Sequence, residues 1–288
     1  MQEHLMRKVF KNLVLAAALA VPSISFAEEA APNTGALSIG GGVDFVTAYI
    51  FRGGVNESDG LIAQPYATLS VKAHESDSLS VTPFVGIWNS IHSETDANPA
   101  HGGSDSNWYE SDVFAGIDFK FGDFTVSPIY TFYTYPGDSF ETIEEIALKV
   151  AYNDTKLMEK AGLPITLSPY LVYAYETSDG NGSQDQYLEL GITPSYAVPD
   201  TALTLSLPIV VGLSVDDYFL DDSGDNEFFG YVSAGLAASY SLPVPAKFGA
   251  WTLTGGVYYY SFNADSLKAM NDGDDSIVMG KVGLSFLY

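Results

Sequence analysis

The chain holds two arginines, Arg7 and Arg52, and only the second lies beyond the N-terminal segment. A guanidinium stays charged at physiological pH and grips a carboxylate with a planar two-pronged fork. Its candidate partners are Glu110, Asp112, Glu145, Glu176, Glu189 and Asp216, with Lys149 as a further cation. An arginine facing carboxylates across a narrow pore sets a transverse field and selects among solutes. The same groups can instead pair off, fix strand register and plug the space between them, and the pattern leaves both readings open. Tyr66, Phe84, Trp88, Tyr133, Tyr135, Tyr170, Tyr231, Tyr258 and Tyr260 share the phase of these charges. Such rings either form a stacking track for a sugar or nucleoside or fill a narrow interior, and filling is the simpler expectation.

Hydrolytic chemistry is a rival class. It needs a nucleophile hydrogen-bonded to a histidine and a third group to orient that histidine. His74 falls in an expected turn, while His92 and His101 share one loop with Ser93 and Asp96, next to Ser90. No nucleophile motif surrounds them, so no enzyme is expected. Asp216-Asp217, Asp221 through Glu227 and Asp272 through Asp275 are rich in carboxylates that suit Ca²⁺ or Mg²⁺. None has the spacing of an EF-hand loop, and a solvated acidic surface is expected rather than a metal site or any cofactor.

The elements that position these groups follow from composition and periodicity. Only 17% of the 288 residues are charged, below the usual quarter, yet 36 acids against 12 bases give a net charge of -24. An acidic chain with so few bases cannot build the basic patches of a nucleic-acid binder. The lack of cysteine excludes a disulfide framework and a thiolate-ligated metal. No apolar run reaches the length of a membrane-spanning helix.

Arg7, Lys8 and Lys11 precede an apolar run from Leu13 to Val21, followed by Pro22 and Ser25-Phe26-Ala27. This is the layout of a secretory signal peptide cut after Ala27, too short for a membrane anchor. The expected division is a signal peptide at 1–27 and one outer-membrane β-barrel domain at 28–288. Loss of Glu3 and the three bases leaves the mature chain with a net charge of -26.

Beyond the signal, apolar residues alternate with period two in segments cut by Gly, Pro, Asp, Asn and Ser. Strands are expected at 37–52, 61–73, 79–91, 109–121, 124–135, 142–152, 163–177, 186–198, 202–216, 228–242, 250–263 and 276–288. On their apolar faces lies one charge, Glu144, near a strand end. The opposite faces hold thirteen, eight acids and five bases, among them Arg52 at the outer end of the first strand and the carboxylates named above at comparable heights. The outer loops (53–60, 92–108, 136–141, 178–185, 217–227 and 264–275) carry 18 acids and one base, Lys268. The inner turns (74–78, 122–123, 153–162, 199–201 and 243–249) carry six acids and three bases. Short turns at one end and longer loops at the other are the habit of bacterial outer-membrane barrels. Aromatic residues gather toward both rims of the apolar face, including Tyr49, Phe51, Tyr130 and Phe132 outside and Phe121, Phe124, Tyr240 and Trp251 inside, as headgroup-level girdles do. The chain stops on Val282, Leu284, Phe286 and Tyr288, an alternating strand with a terminal aromatic that looks like the signal read by the outer-membrane assembly machinery.

Residues 43 to 152 carry a more specific pattern: Thr47-Ala48-Tyr49-Ile50-Phe51-Arg52-Gly53 followed by Asn56-Glu57-Ser58-Asp59-Gly60, then Ile87-Trp88-Asn89-Ser90, Glu110 through Gly116, and Tyr133-Thr134-Tyr135-Pro136-Gly137. This resembles the TorF-like outer-membrane porin family, whose opening signature is Tyr-x-Phe-Arg-Gly. The chain departs from it at Ala48, where an Asp is common, and at Val55-Asn56, where the family has Ser-Gln. The second half is similar only as a generic barrel. The resemblance implies an outer-membrane barrel and a pore, with no established substrate and no catalytic residue.

In hydrocarbon every backbone N–H and C=O must be paired within the protein, so spanning strands must close on themselves. The expected fold is all-β, a transmembrane up-and-down antiparallel β-barrel of about twelve strands in the outer membrane. The expected function is a porin or channel for small solutes that prefers cations, with Arg52, Glu110, Asp112, Glu145, Lys149, Glu176, Glu189 and Asp216 as candidate pore-lining residues. Its expected partners are outer-membrane lipid and lipopolysaccharide, the assembly machinery through Tyr288, and small solutes, with no nucleic acid. A structural or adhesive barrel with a plugged lumen, and an outer-membrane hydrolase, are the alternatives.

Overall fold

The computed structural model describes residues 35–94, 106–137, 140–178 and 184–288. The expected signal peptide, His101 and Asp96 lie outside the described residues. Fifteen strand segments form one antiparallel sheet: β1 (Leu37–Val46), β4 (Ile62–Val71), β5 (His74–Glu75), β6 (Ser80–His92), β7 (Trp108–Phe121), β8 (Phe124–Thr134), β9 (Ile143–Tyr152), β10 (Tyr170–Ser178), β11 (Gln186–Ile192), β12 (Ser195–Ala197), β13 (Leu203–Ser206), β14 (Ile209–Asp216), β15 (Phe229–Ser241), β16 (Ala250–Phe262) and β17 (Ser276–Leu287). β4 with β5, β11 with β12 and β13 with β14 are each one interrupted span, so the sheet has twelve spans. It closes because β17 pairs with β16 on one side and with β1 on the other, Val43 opposite Leu284 and Phe45 opposite Val282. At the closing seam the backbones of Ile39 and Tyr288 exchange two hydrogen bonds of 2.7 Å.

Alternation decides which face each residue takes. Val85 and Ile87 on β6, Val113 on β7, Ile146 and Leu148 on β9, Val257 on β16 and Val278 and Val282 on β17 all point outward and are exposed. Leu236 is the most exposed of them at 72%. A belt of this size far exceeds the apolar patch a soluble monomer shows, and hydrocarbon is the solvent that suits it. Among the described residues no helix is long and apolar enough to cross a membrane, so any crossing is made by strands. The one charge on this face is accommodated locally, because the Tyr130 hydroxyl donates to the Glu144 carboxylate.

Two expected spans are cut short. The strand expected at 163–177 starts only at Tyr170. Before it the chain makes a short helix, Thr155–Lys160, and a reversal through Gly162 and Ser168, both at positive φ. The buried Asp154 carboxylate accepts hydrogen bonds from the backbone N–H of Leu167 (2.8 Å) and Ser168 (3.0 Å), and an isolated bridge rather than a strand ladder, Thr166 with Ser195, joins this stretch to the sheet. The strand expected at 37–52 stops at Val46, with consequences for the lumen.

Candidate functional site

After Val46 the chain leaves the wall and turns into the barrel. Thr47 is its last tether: its N–H donates to the Gly280 carbonyl (3.0 Å), and Gly280 N–H donates to its Oγ1 (2.9 Å). The next residues make a separate two-stranded hairpin, β2 (Tyr49–Phe51) with β3 (Gly54–Glu57). All residues from Ala48 to Glu57 are buried except the half-buried Ile50. Tyr49 and Phe51, expected in the outer aromatic girdle, therefore sit inside, and residues 53–57 are a plug rather than an outer loop. The phase of β1 is not what puts Arg52 inside; the hairpin carries it there.

The tip explains the Arg-Gly pair. Phe51 pairs with Gly54, so the turn has two residues, Arg52 at φ 45° and Gly53 at φ 85°. Positive φ at both positions is the tightest hairpin geometry, and glycine suits it best. Gly53 is also hemmed in, since a Cβ there would lie 2.7 Å from the Tyr231 ring and 2.9 Å from Leu267. Gly162 has a similar φ of 71° with nothing within 4 Å. Gly53→Ala should therefore cost more than Gly162→Ala, which carries only the left-handed penalty of about 1–2 kcal/mol. Urea unfolding of both variants in lipid vesicles measures the difference, and equal losses would contradict a packed tip.

Arg52 crosses the lumen to the far wall. Its Nη1 and Nη2 donate to Glu145 Oε2 and Oε1 at 2.7 and 2.9 Å, and Nη1 also donates to the Tyr218 hydroxyl at 3.1 Å. The guanidinium carbon lies 4.3 Å from the Tyr187 ring centre, 4.8 Å from Phe51 and 5.4 Å from Tyr218. Burial alone would lower the pKa of Arg52, but the neighbouring Glu145 carboxylate holds it well above the ordinary value. Tyr133 donates to Glu145 Oε1 at 3.0 Å. At the hairpin's base Tyr49 donates to Glu110 Oε2 at 2.7 Å and packs against Trp88, ring centres 5.5 Å apart. Burial, then the charge of Glu110, raises the pKa of Tyr49 well above that of free tyrosine.

Two long-loop segments complete the plug. Tyr218, Phe219 and Leu220, expected in a solvated outer loop, fold inward and are buried. Ser266, Leu267 and Met270 of the helix Asp265–Met270 do the same. Leu220 and Ser266 are stitched together, Leu220 N–H donating to Ser266 Oγ (3.1 Å) and Ser266 N–H to the Leu220 carbonyl (3.0 Å). The acidic tip between them stays outside. Asp221 Oδ1 accepts from the N–H groups of Ser223 (2.8 Å) and Asp225 (3.0 Å), a turn-capping role.

The sequence candidates fall into three zones. Arg52, Glu110, Asp112, Glu145 and Glu176 lie together in the buried outer half, each carboxylate no more than 2% exposed. Glu189 and Lys149 form a layer beneath: Glu189 accepts from Tyr170 (2.8 Å) and Tyr187 (2.7 Å), and the Lys149 amine sits 5.3 Å over the Tyr170 ring. Asp216 does not join them; it is exposed at the rim, where Gln186 Nε2 donates to it at 3.2 Å. Toward the short-turn end the lumen keeps access, with Asp44 and Lys281 paired at 3.4 Å and partly exposed.

One cluster was visible in the sequence only in part, as His92 beside Ser90 without Glu57. His92 is the last residue of β6 rather than part of a loop, and its Nε2 lies 2.8 Å from Ser90 Oγ. Glu57 Oε2 from the hairpin stands 4.0 Å from His92 Nδ1. The three residue types match a hydrolytic triad, but Ser90 has no exposed surface and the carboxylate belongs to the plug itself. Here Glu57 of the hairpin's return strand packs beside the Ser90–His92 pair of β6. The alternating Trp88-Ser90-His92 was the available signal. Among the described residues no group of three or more potential metal ligands comes together.

The fold is shared with a solved outer-membrane channel from Pseudomonas putida F1, with a TM-score of 0.52 at 13% identity over 89% of this chain and 97% of that one. The NanC porin aligns over 87% of this chain and 99% of its own, at 15% identity and a TM-score of 0.40. A KdgM porin in complex with disordered oligogalacturonate aligns over 86% and 98%, at 11% identity and a TM-score of 0.41. No protein-family description matches the sequence, and no curated protein does.

Proposed function

We propose that the protein is an outer-membrane channel of the TorF-like porin type, for small solutes with a preference for cations, held here in a closed state. One observation carries this reading: a charged interior inside an apolar wall is stopped by inserted segments and not by the wall itself. Among the described residues no backbone hydrogen bond joins residues 48–60 to the barrel strands, so side chains alone seat the hairpin. A wall built only to be solid would have no use for so many acids. The proposal includes contact with lipid and lipopolysaccharide outside, and reading of Tyr288 by the assembly machinery.

Cation preference rests on the field. The acidic long loops surround the mouth, and the thirteen inward charges expected from the sequence sum to -3. Such a field concentrates cations and repels anions, and its loop component fades as salt screens it. Arg52 opposes it. Arg52→Gln should raise the cation-to-anion permeability ratio and the conductance, read as reversal potentials in a KCl gradient across planar bilayers. Anion preference in the wild type would sink the preference. The buried Arg52–Glu145 pair favours a second reading, a permanently plugged structural barrel, and absence of conductance in wild type and variant alike would select it.

A further inference from the structure

The seat of Arg52 is more elaborate than a register pin requires. Glu145 takes both prongs of the guanidinium, Tyr187 and Tyr218 supply ring faces, and Tyr133 orients the carboxylate from behind. All four belong to the barrel wall or the loop at 217–228, not to the hairpin. Glu145 is also directly opposite Glu176 across the β9–β10 pair. Like charges in that position repel, so a cation bound to Glu145 relieves the repulsion, whether the hairpin or a solute supplies it. A carboxylate with aromatic faces, desolvated and preformed, is the chemistry that recognises a guanidinium.

We propose that this cage is a recognition site for guanidinium-bearing solutes, occupied in the closed state by the chain's own Arg52. A free solute of that class competes for Glu145, and the hairpin, tethered at Thr47 and at Leu61, whose N–H donates to Ser93 Oγ (2.8 Å) and whose carbonyl accepts from Ser93 N–H (2.9 Å), gives way. The inference rests on the channel reading for its consequence, although binding itself does not depend on conduction.

Chemical rescue tests it. Arg52→Ala, in lipid vesicles, should lose compact gel mobility at a lower temperature than wild type. Millimolar ethylguanidinium should restore the wild-type temperature, while ethylurea, of similar shape but uncharged, should not. Adding Glu145→Gln should abolish the rescue. Equal effects of the two compounds, or rescue that survives Glu145→Gln, overturn the cage. Should Arg52→Ala not assemble, wild-type protein carries the test. Ethylguanidinium at millimolar concentration should then increase open time in single-channel records more than tetramethylammonium does, and no difference overturns the proposal. The two readings fail separately. Rescue without conductance, even in a variant with residues 48–58 replaced by a short turn, removes the channel and keeps the site. Conductance without rescue does the reverse.

Discussion

Glu145→Ala should expose Arg52 to trypsin. In the wild type the bond after Arg52 is shielded, since the residue is 6% exposed at the tip of an inserted hairpin. Removing the carboxylate leaves a buried guanidinium without its charge partner, a defect that costs about 3–5 kcal/mol. The barrel has a cheaper response than unfolding, because no backbone hydrogen bond holds residues 48–60 to the wall among the described residues. The penalty therefore falls on the seated hairpin. Where opening is fast relative to cleavage, proteolysis follows the population of the open form. At about 1.4 kcal/mol per tenfold, cleavage should rise by roughly two to four orders of magnitude. The apolar double variant Arg52→Met with Glu145→Leu distinguishes charge from packing. It removes both ions, so its stability should return close to wild type. Loss of the Arg52 cleavage site means its seating is read from the heat at which the barrel loses compact mobility. Unchanged cleavage in Glu145→Ala would show that the aromatic contacts alone retain the plug.

The wall was legible because one physical demand governs it. Every outward position must be apolar, so Val85, Ile87, Val257 and Val278 announce their face. The carboxylates of β7, β9 and β10 lie inside for the same reason: the alternation that turns Val113, Ile146 and Leu148 outward turns Asp112 and Glu145 inward. The plug was not legible because it breaks the link between apolar and lipid-facing. Tyr49 and Phe51 continue the alternation of β1, yet their apolar character serves a packed interior. Arg52-Gly53-Gly54 held the contrary signal. A two-residue turn with glycine at its second position closes a hairpin, and one lay directly after the apolar run from Ala48 to Phe51. Tyr218 and Phe219 were hidden differently, by the acidic residues on both sides that make the loop look wholly solvated. The Tyr-x-Phe-Arg-Gly resemblance takes on a physical meaning in this light. Its tyrosine binds Glu110, its arginine binds Glu145, and its glycine makes the turn.

Leu205→Arg should destabilise the barrel by about 2–4 kcal/mol, and Ser206→Arg by much less. The two residues are neighbours on β13 and differ in the face they present. Leu205 is 46% exposed on the apolar exterior, paired across strands with Tyr196 and Ala238, while Ser206 points into the lumen opposite Ser195 and Ala237. An arginine on the outer face must either hold its charge in hydrocarbon or reach along the wall for a headgroup. An arginine on the inner face meets a lumen that is accessible toward the short-turn end, with the small residues Ser195 and Ala237 beside it. β13 lies close to that end, where Pro208 interrupts the span, so the outer-face cost belongs nearer the low end of the range. Urea unfolding of both variants in vesicles, followed by the fluorescence of Trp88, Trp108 and Trp251, measures the asymmetry. In detergent micelles, which yield around a charge, the gap should shrink while its sign holds. Equal losses in vesicles would mean that β13 does not face lipid, and the apolar belt would then need another partner to cover it. A larger loss for Ser206→Arg would reverse the assigned faces outright, because a one-residue slip in a strand exchanges every inward residue for an outward one.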